Sequence, residues 1–158
     1  MTSLWLADTE ATDALGAALA RTRPTPAVVH LRGDLGAGKS TLARALLRAL
    51  GVTGAIRSPT YTLVERYPLR DGGEAWHLDL YRIADPDELE YLGLDADEVA
   101  LWLIEWPEHG TAALAPADLI VALAVEREGR RVRLTAGSPV GQAWLVAMSA
   151  PPGFAGDS

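Results

Sequence analysis

The chain's 158 residues fit one domain, a size that buries roughly two-thirds of its unfolded surface. With 49% hydrophobic and 22% charged residues it has an ordinary globular composition, and no apolar run approaches the roughly 20 residues of a membrane span. A formal charge of −7 argues against broad binding to nucleic acid, which needs a basic stripe to displace counterions, and the lack of cysteine excludes disulfides, thiolate zinc sites and cysteine nucleophiles.

Met1 to Asp8 has no basic region leading into an apolar stretch, so it does not read as a secretory signal, and the cytoplasm is the expected location. Asp8 to Arg23 carries Ala11, Leu15, Ala18 and Leu19 at helical spacing. Asp8 or Thr9 can cap this helix before Glu10, and Pro24 and Pro26 end it. Ala27 to Arg32 is a short β-rich run. Directly after it stands Gly33-Asp34-Leu35-Gly36-Ala37-Gly38-Lys39-Ser40, a complete match to the phosphate-loop pattern G-x-x-x-x-G-K-[ST]. Thr41 to Leu50 then reads as a strong helix closed by Gly51. Strand, glycine loop and helix follow in the order the loop requires, because it works by aiming backbone N–H groups and a helix N-terminus at an anion.

Tyr61 to Tyr67 and Ala75 to Tyr81 alternate as strands do, joined through Asp71-Gly72-Gly73. Asp85 to Leu92 predicts a short helix with Pro86 in its first turn and Gly93 after its end. Ala100 to Ile104 is apolar without alternation, as in a strand buried on both faces. Asp118 to Glu126 and Arg130 to Ala136 form a second hairpin around Glu128-Gly129, and Val140 to Met148 a closing helix. Residues 150 to 158 are expected to be a disordered tail, leaving one domain over 1 to 149. No internal repeat is visible. The expected architecture is an α/β fold of the P-loop NTPase kind, a central mixed β-sheet flanked by helices.

Lys39 is the single lysine among 14 basic residues. A chain that otherwise uses arginine needs a local reason for an ammonium, and a slim stem threading to β- and γ-phosphates supplies one. Ser40 offers a hydroxyl to Mg²⁺, while N–H groups from Gly36, Ala37, Gly38, Lys39, Ser40 and Thr41 cradle phosphates. Such loops also need a carboxylate for the metal at the end of a buried strand. Glu105 has that setting, and Asp79, on one face with His77 and Tyr81, is the rival; a solvent-facing ion pair is the plain alternative for Asp79. Trp106 either stacks on a base or fills the core at a strand end. Ser58 to Thr62 is placed to act as a switch sensing the γ-phosphate, or is simply a turn set by Pro59. His30, His77 and His109 show no metal-ligand spacing and read as surface or core residues. The guanine-reading Asn-Lys-x-Asp motif needs a second lysine, so ATP is the better expectation. The basic cluster Arg127 to Arg133 reads as a solvated hairpin.

Four blocks, Gly33 to Thr41, Ser58 to Glu65, His77 to Arg82 with Asp85 to Leu89, and Ile104 to Pro107, resemble in order and spacing the bacterial TsaE (YjeE) ATPases of tRNA threonylcarbamoyladenosine biosynthesis. The family more often has threonine where Ser40 stands. The resemblance implies Ser40 and Glu105 as Mg²⁺ ligands, Asp79 as a further acidic residue for hydrolysis and Trp106 as a neighbour of the base. It implies that Thr9 and Arg130 approach the nucleotide. It also implies a TsaB–TsaD partner complex that modifies the adenosine beside the anticodon, reset by slow hydrolysis, with tRNA reached only through those partners; no membrane partner is expected, since the chain has no apolar run of spanning length. Two other classes are compatible with the loop itself: a small-molecule kinase with Arg127 to Arg133 as a lid, and a nucleotide-gated interaction module with negligible hydrolysis.

Overall fold

The continuous apolar run of residues 100 to 104 lies where such a run has to lie, in the middle of a sheet covered on both sides. The structure, a computed structural model, describes residues 1–92, 99–110 and 114–149. Strands β1 (Thr2–Leu6), β2 (Ala27–Arg32), β3 (Val64–Pro68), β4 (Glu74–Asp79), β5 (Val99–Glu105), β6 (Leu119–Glu126) and β7 (Gly129–Ala136) form one sheet. Its spatial order is β1-β7-β6-β2-β5-β4-β3. The central four, β6, β2, β5 and β4, are parallel; β7 and β3 pair antiparallel to β6 and β4, and β1 pairs antiparallel to β7 at the outer edge. This is the expected mixed sheet.

Helices α1 (Thr9–Thr22) and α2 (Lys39–Ala49) cover one face with α3 (Pro139–Ser149). Asp8 caps α1 by accepting from the Ala11 N–H at 2.9 Å, settling the choice between Asp8 and Thr9. The core on this face runs through Leu15, Leu19, Leu31, Leu46, Leu101 and Leu103. Trp144 of α3 is buried there, its Nε1 donating to Thr22 Oγ1 at 3.1 Å. The opposite face carries Leu78, Leu80, Ile83, Leu89, Ile104 and Leu114, covered by the segments after β4 and β5. Among the described residues no helix is long and apolar enough to cross a membrane.

Several expected boundaries move, each for a local reason. Strand β1 was not foreseen: Leu4 and Leu6 point to the core while Ser3 and Trp5 face out, and an exposed tryptophan hides the polar phase of the alternation. Tyr61 to Leu63 is a turn rather than strand, because Leu63 takes a left-handed φ of 69° and its N–H bonds the Pro59 carbonyl. β4 stops at Asp79, whose Oδ1 accepts the Tyr81 N–H at 3.0 Å and turns the chain. The helix expected at Asp85 to Leu92 is 3₁₀ over Pro86–Leu92; Gly93 lies outside the described residues. The second hairpin turns one residue earlier than expected, at Arg127 and Glu128, with Gly129 paired to Glu126. The tail at 150 to 158 is also outside the described residues.

α1 meets α2 at Gly16, where a Cβ would lie 2.7 Å from Ala45 Cβ and 2.9 Å from backbone atoms of Ala45 and Leu46. Gly16→Ala therefore lowers stability by about 1–3 kcal/mol despite its better helix propensity, read as a reduced urea midpoint. Adding Ala45→Gly restores little, since the backbone contacts remain; full restoration would place the clash on the Ala45 Cβ alone, and a Gly16→Ala variant as stable as native would mean the helices are not in contact there.

Candidate nucleotide site

β2 delivers the chain to the loop and α2 carries it away, so the loop is anchored at both ends. Gly33, Gly36 and Gly38 have φ of 148°, 80° and 108°. Glycines in such conformations between ordinary residues aim successive N–H groups into one concavity, and the N-terminus of α2 adds its dipole. A Cβ on Gly33 would stand 2.5 Å from the Leu123 carbonyl of β6, whereas one on Gly36 meets nothing within 4 Å. The loop is thus pressed to the sheet at its start and open at its crest.

Lys39, in the first turn of α2, is only 5% exposed. Its Nζ donates to the carbonyls of Gly33 and Asp34, the latter at 3.0 Å, and lies 4.4 Å from the centre of the Trp106 ring. Burial lowers its pKa, against Glu105 and Asp79, which raise it. Arg130 of β7 reaches across to the loop, donating from Nε to Ala37 O at 3.0 Å and from Nη2 to Gly36 O at 3.3 Å. Both cations bind loop carbonyls; of the loop N–H groups expected to cradle an anion, that of Ala37 instead donates to the Asp34 carbonyl at 3.0 Å.

The carboxylates come from the neighbouring strands. Register pairs Leu31 with Glu105 and Glu105 with Asp79, so the ends of β2, β5 and β4 stand in one row. Ser40 Oγ donates to Glu105 Oε2 at 2.9 Å. Asp79 is buried and accepts from Tyr81 N–H and from Thr60 Oγ1 at 3.3 Å; it is not the solvent-facing ion pair that sequence left open. Thr60, itself bonded to Ser58, connects the Ser58 to Thr62 segment to the row. Gly36, Lys39, Ser40, Asp79, Glu105 and Trp106 line a cavity of about 230 Å³. Ser40, with Thr41 and Thr60, brings hydroxyls to this cavity, and Asp79 and Glu105 bring two carboxylates, hard oxygens suited to Mg²⁺. Among the described residues no group of three or more His, Cys, Asp or Glu could hold a metal ion.

Trp106 follows Glu105 in a left-handed conformation, φ 58°, a strain of about 1–3 kcal/mol. Its ring packs against Tyr81 and His109, with centroids 5.0 and 5.6 Å away, on the Lys39 side of the cavity. Thr9 lies elsewhere, lining with Asp8, Thr12, Gly38, Thr41 and Arg130 an adjoining cleft of about 220 Å³. The two cavities meet at Gly38, Thr41 and Arg130. The structure therefore groups Lys39, Ser40, Asp79, Glu105 and Trp106 together, and Thr9 with Arg130 beside them.

Sequence reasoning missed the part His77 plays here. It is 2% exposed and its Nε2 lies 2.5 Å from Glu105 Oε2. Its place two residues before Asp79 on an alternating strand was the available signal. The loop geometry makes a separate prediction: Gly36→Ala costs about 1–2 kcal/mol of left-handed strain, while Gly33→Ala costs more because its Cβ also meets the Leu123 carbonyl. Urea unfolding of the two variants checks the ranking, and equal losses would show that the Gly33 contact is not formed.

A sequence-family profile described as Threonylcarbamoyl adenosine biosynthesis protein TsaE matches residues 6–133. The chain is 43% identical over 126 residues to the tRNA threonylcarbamoyladenosine biosynthesis protein TsaE of Haemophilus influenzae, covering 77% of this chain and 78% of that one. It is 36% identical over 138 residues to the Streptomyces coelicolor protein of that name, covering 84% and 93%. The solved structure of Bacillus subtilis YdiB superposes with a TM-score of 0.73 at 25% identity, covering 94% of this chain and 93% of that one. With the profile and these relatives spanning most of its length, the chain belongs to the TsaE family.

Proposed function

We propose that this chain serves tRNA threonylcarbamoyladenosine biosynthesis as a Mg²⁺-dependent ATPase whose hydrolysis resets a TsaB–TsaD transferase complex. The observation that carries the ATPase part is the row formed by the anchored loop with Lys39 and Ser40, then Glu105, then Asp79. Family membership carries the pathway. ATP is favoured over GTP because a second lysine for the guanine-reading motif does not exist.

In this reading the loop N–H groups bind the phosphates and Lys39 exchanges the carbonyls of Gly33 and Asp34 for phosphate oxygen. Ser40 and Glu105 would hold Mg²⁺, which when bound neutralises charge on the transferring phosphoryl group. Asp79, fixed by Tyr81 N–H and Thr60, orients the attacking water. The nucleoside lies in the Thr9–Arg130 cleft, reached through Thr41. That puts Trp106 beside Lys39 and the terminal phosphate rather than the base. The acidic chain meets tRNA through its partners.

Lys39→Ala removes the ammonium and lowers ATP turnover by at least about 100-fold, since charge stabilisation is the main contribution to phosphoryl transfer. Phosphate release assays check this, and native turnover by the variant would sink the site. The pathway assignment is tested by multiple-turnover tRNA modification with TsaB–TsaD. Addition of this chain should sustain repeated cycles and Lys39→Ala should allow only the first. Modification that ignores the chain, or phosphate transfer to a metabolite in place of water, would overturn the proposal.

A further inference from the structure

His77 is buried among the core residues of β4 and β5, and hydrolysis as described above gives it no task. Its Nε2 sits 2.5 Å from Glu105 Oε2, and the oxygen that receives it also receives Ser40 Oγ at 2.9 Å. A carboxylate oxygen only accepts, so Nε2 carries the ring hydrogen. Nδ1 is buried without a hydrogen-bond partner among the described residues. The ring is held by one polar contact, and that contact ends on the candidate metal carboxylate.

A carboxylate oxygen has about two lone pairs, and Ser40 and His77 occupy both on Oε2. We propose that His77 is a positioning residue that acts through Glu105. By saturating Oε2 together with Ser40 it fixes the carboxylate's rotation and leaves Oε1 as the oxygen free to serve Mg²⁺, directly or through water. Second-layer donors of this kind set ligand orientation, and their loss commonly weakens metal binding 10–100-fold. Glu105 has its backbone fixed in register between β2 and β4, but register does not fix the side chain's terminal rotation, which is broad and roughly two-fold. His77 supplies what the sheet cannot. Asp79, its neighbour two residues on, is held by a different pair of donors, Thr60 and Tyr81, so the two carboxylates are oriented independently.

The inference rests on the Mg²⁺–nucleotide reading given above. It is tested by calorimetric titration of ADP into the full chain at a series of Mg²⁺ concentrations, a binding readout that needs no turnover. Glutamine places its amide nitrogen near the position of imidazole Nε2, whereas asparagine stops near Nδ1. His77→Leu and His77→Asn should raise the Mg²⁺ concentration for half-maximal tightening about 10–100-fold, and His77→Gln should return it to within about threefold of native. If His77→Leu does not fold, His77→Asn carries the comparison. A folded His77→Leu or His77→Asn with the native Mg²⁺ midpoint would overturn the inference and leave the nucleotide site standing, and so would a His77→Gln no better than these. Native chain that binds ADP with no response to Mg²⁺ would overturn both.

Discussion

The parallel pairing of β2 with β5 and of β5 with β4 is the constraint from which the rest of the site follows. It sets Leu31, Glu105 and Asp79 side by side, so that the glycine loop and two carboxylates leave the sheet at the same edge. Parallel strands place all their carboxyl ends together, which is why ligands of open α/β sheets bind there. The pairing is supported by its backbone ladder and by apolar burial: Leu101, Leu103 and Ile104 of β5 are almost wholly inaccessible. Two buried carboxylates at the strand ends are tolerated because each is hydrogen-bonded, Glu105 by Ser40 and His77 and Asp79 by Thr60 and Tyr81.

The loop is stiffened from both sides. Gly33 lies against the Leu123 carbonyl, and Arg130 reaches from β7 to bond the Ala37 and Gly36 carbonyls. Hydrogen bonds to a charged donor are the stronger kind, about 1.5–3 kcal/mol. Because the cations hold the C=O groups, the loop keeps an anion-shaped arrangement of N–H groups before any anion arrives. Such preorganisation removes an ordering cost from binding. The Arg127 to Arg133 hairpin is thus more than a solvated turn: Arg131 does pair with half-buried Glu126, but its neighbour Arg130 braces the phosphate loop.

Sequence made the local parts of this arrangement legible and left the long-range ones hidden. The strand, loop and helix around Lys39 could be read because their signals are contiguous: β-branched residues, glycines, then strong helix formers. Glu105 was legible from the apolar run before it. The contact of His77 with Glu105 spans 28 positions and depends on which strands pair, a fact that no local pattern carries. The same holds for Arg130, whose loop partners lie 93 and 94 positions away and whose local signal was only a run of charge. β1 was missed for a different reason, since an exposed Trp5 breaks the polar phase that marks a surface strand.

In the proposed reading, charge favours a metal-bound polyphosphate over a bare one. Lys39 faces Glu105 and Asp79 within the cavity, and Arg130 is committed to carbonyls. A triphosphate entering by itself would meet two carboxylates and one ammonium. Two like unit charges 4 Å apart repel by about 4 kcal/mol at an effective dielectric of 20, so a divalent ion beside Ser40 and Glu105 changes the sign of the local field rather than trimming it. The lysine points the same way. Burial holds its pKa down, and phosphate at Nζ would raise it by favouring the charged form. To make that contact Nζ has to leave the Gly33 and Asp34 carbonyls, so in the proposed reading nucleotide capture and release of the lysine from its own loop are one event.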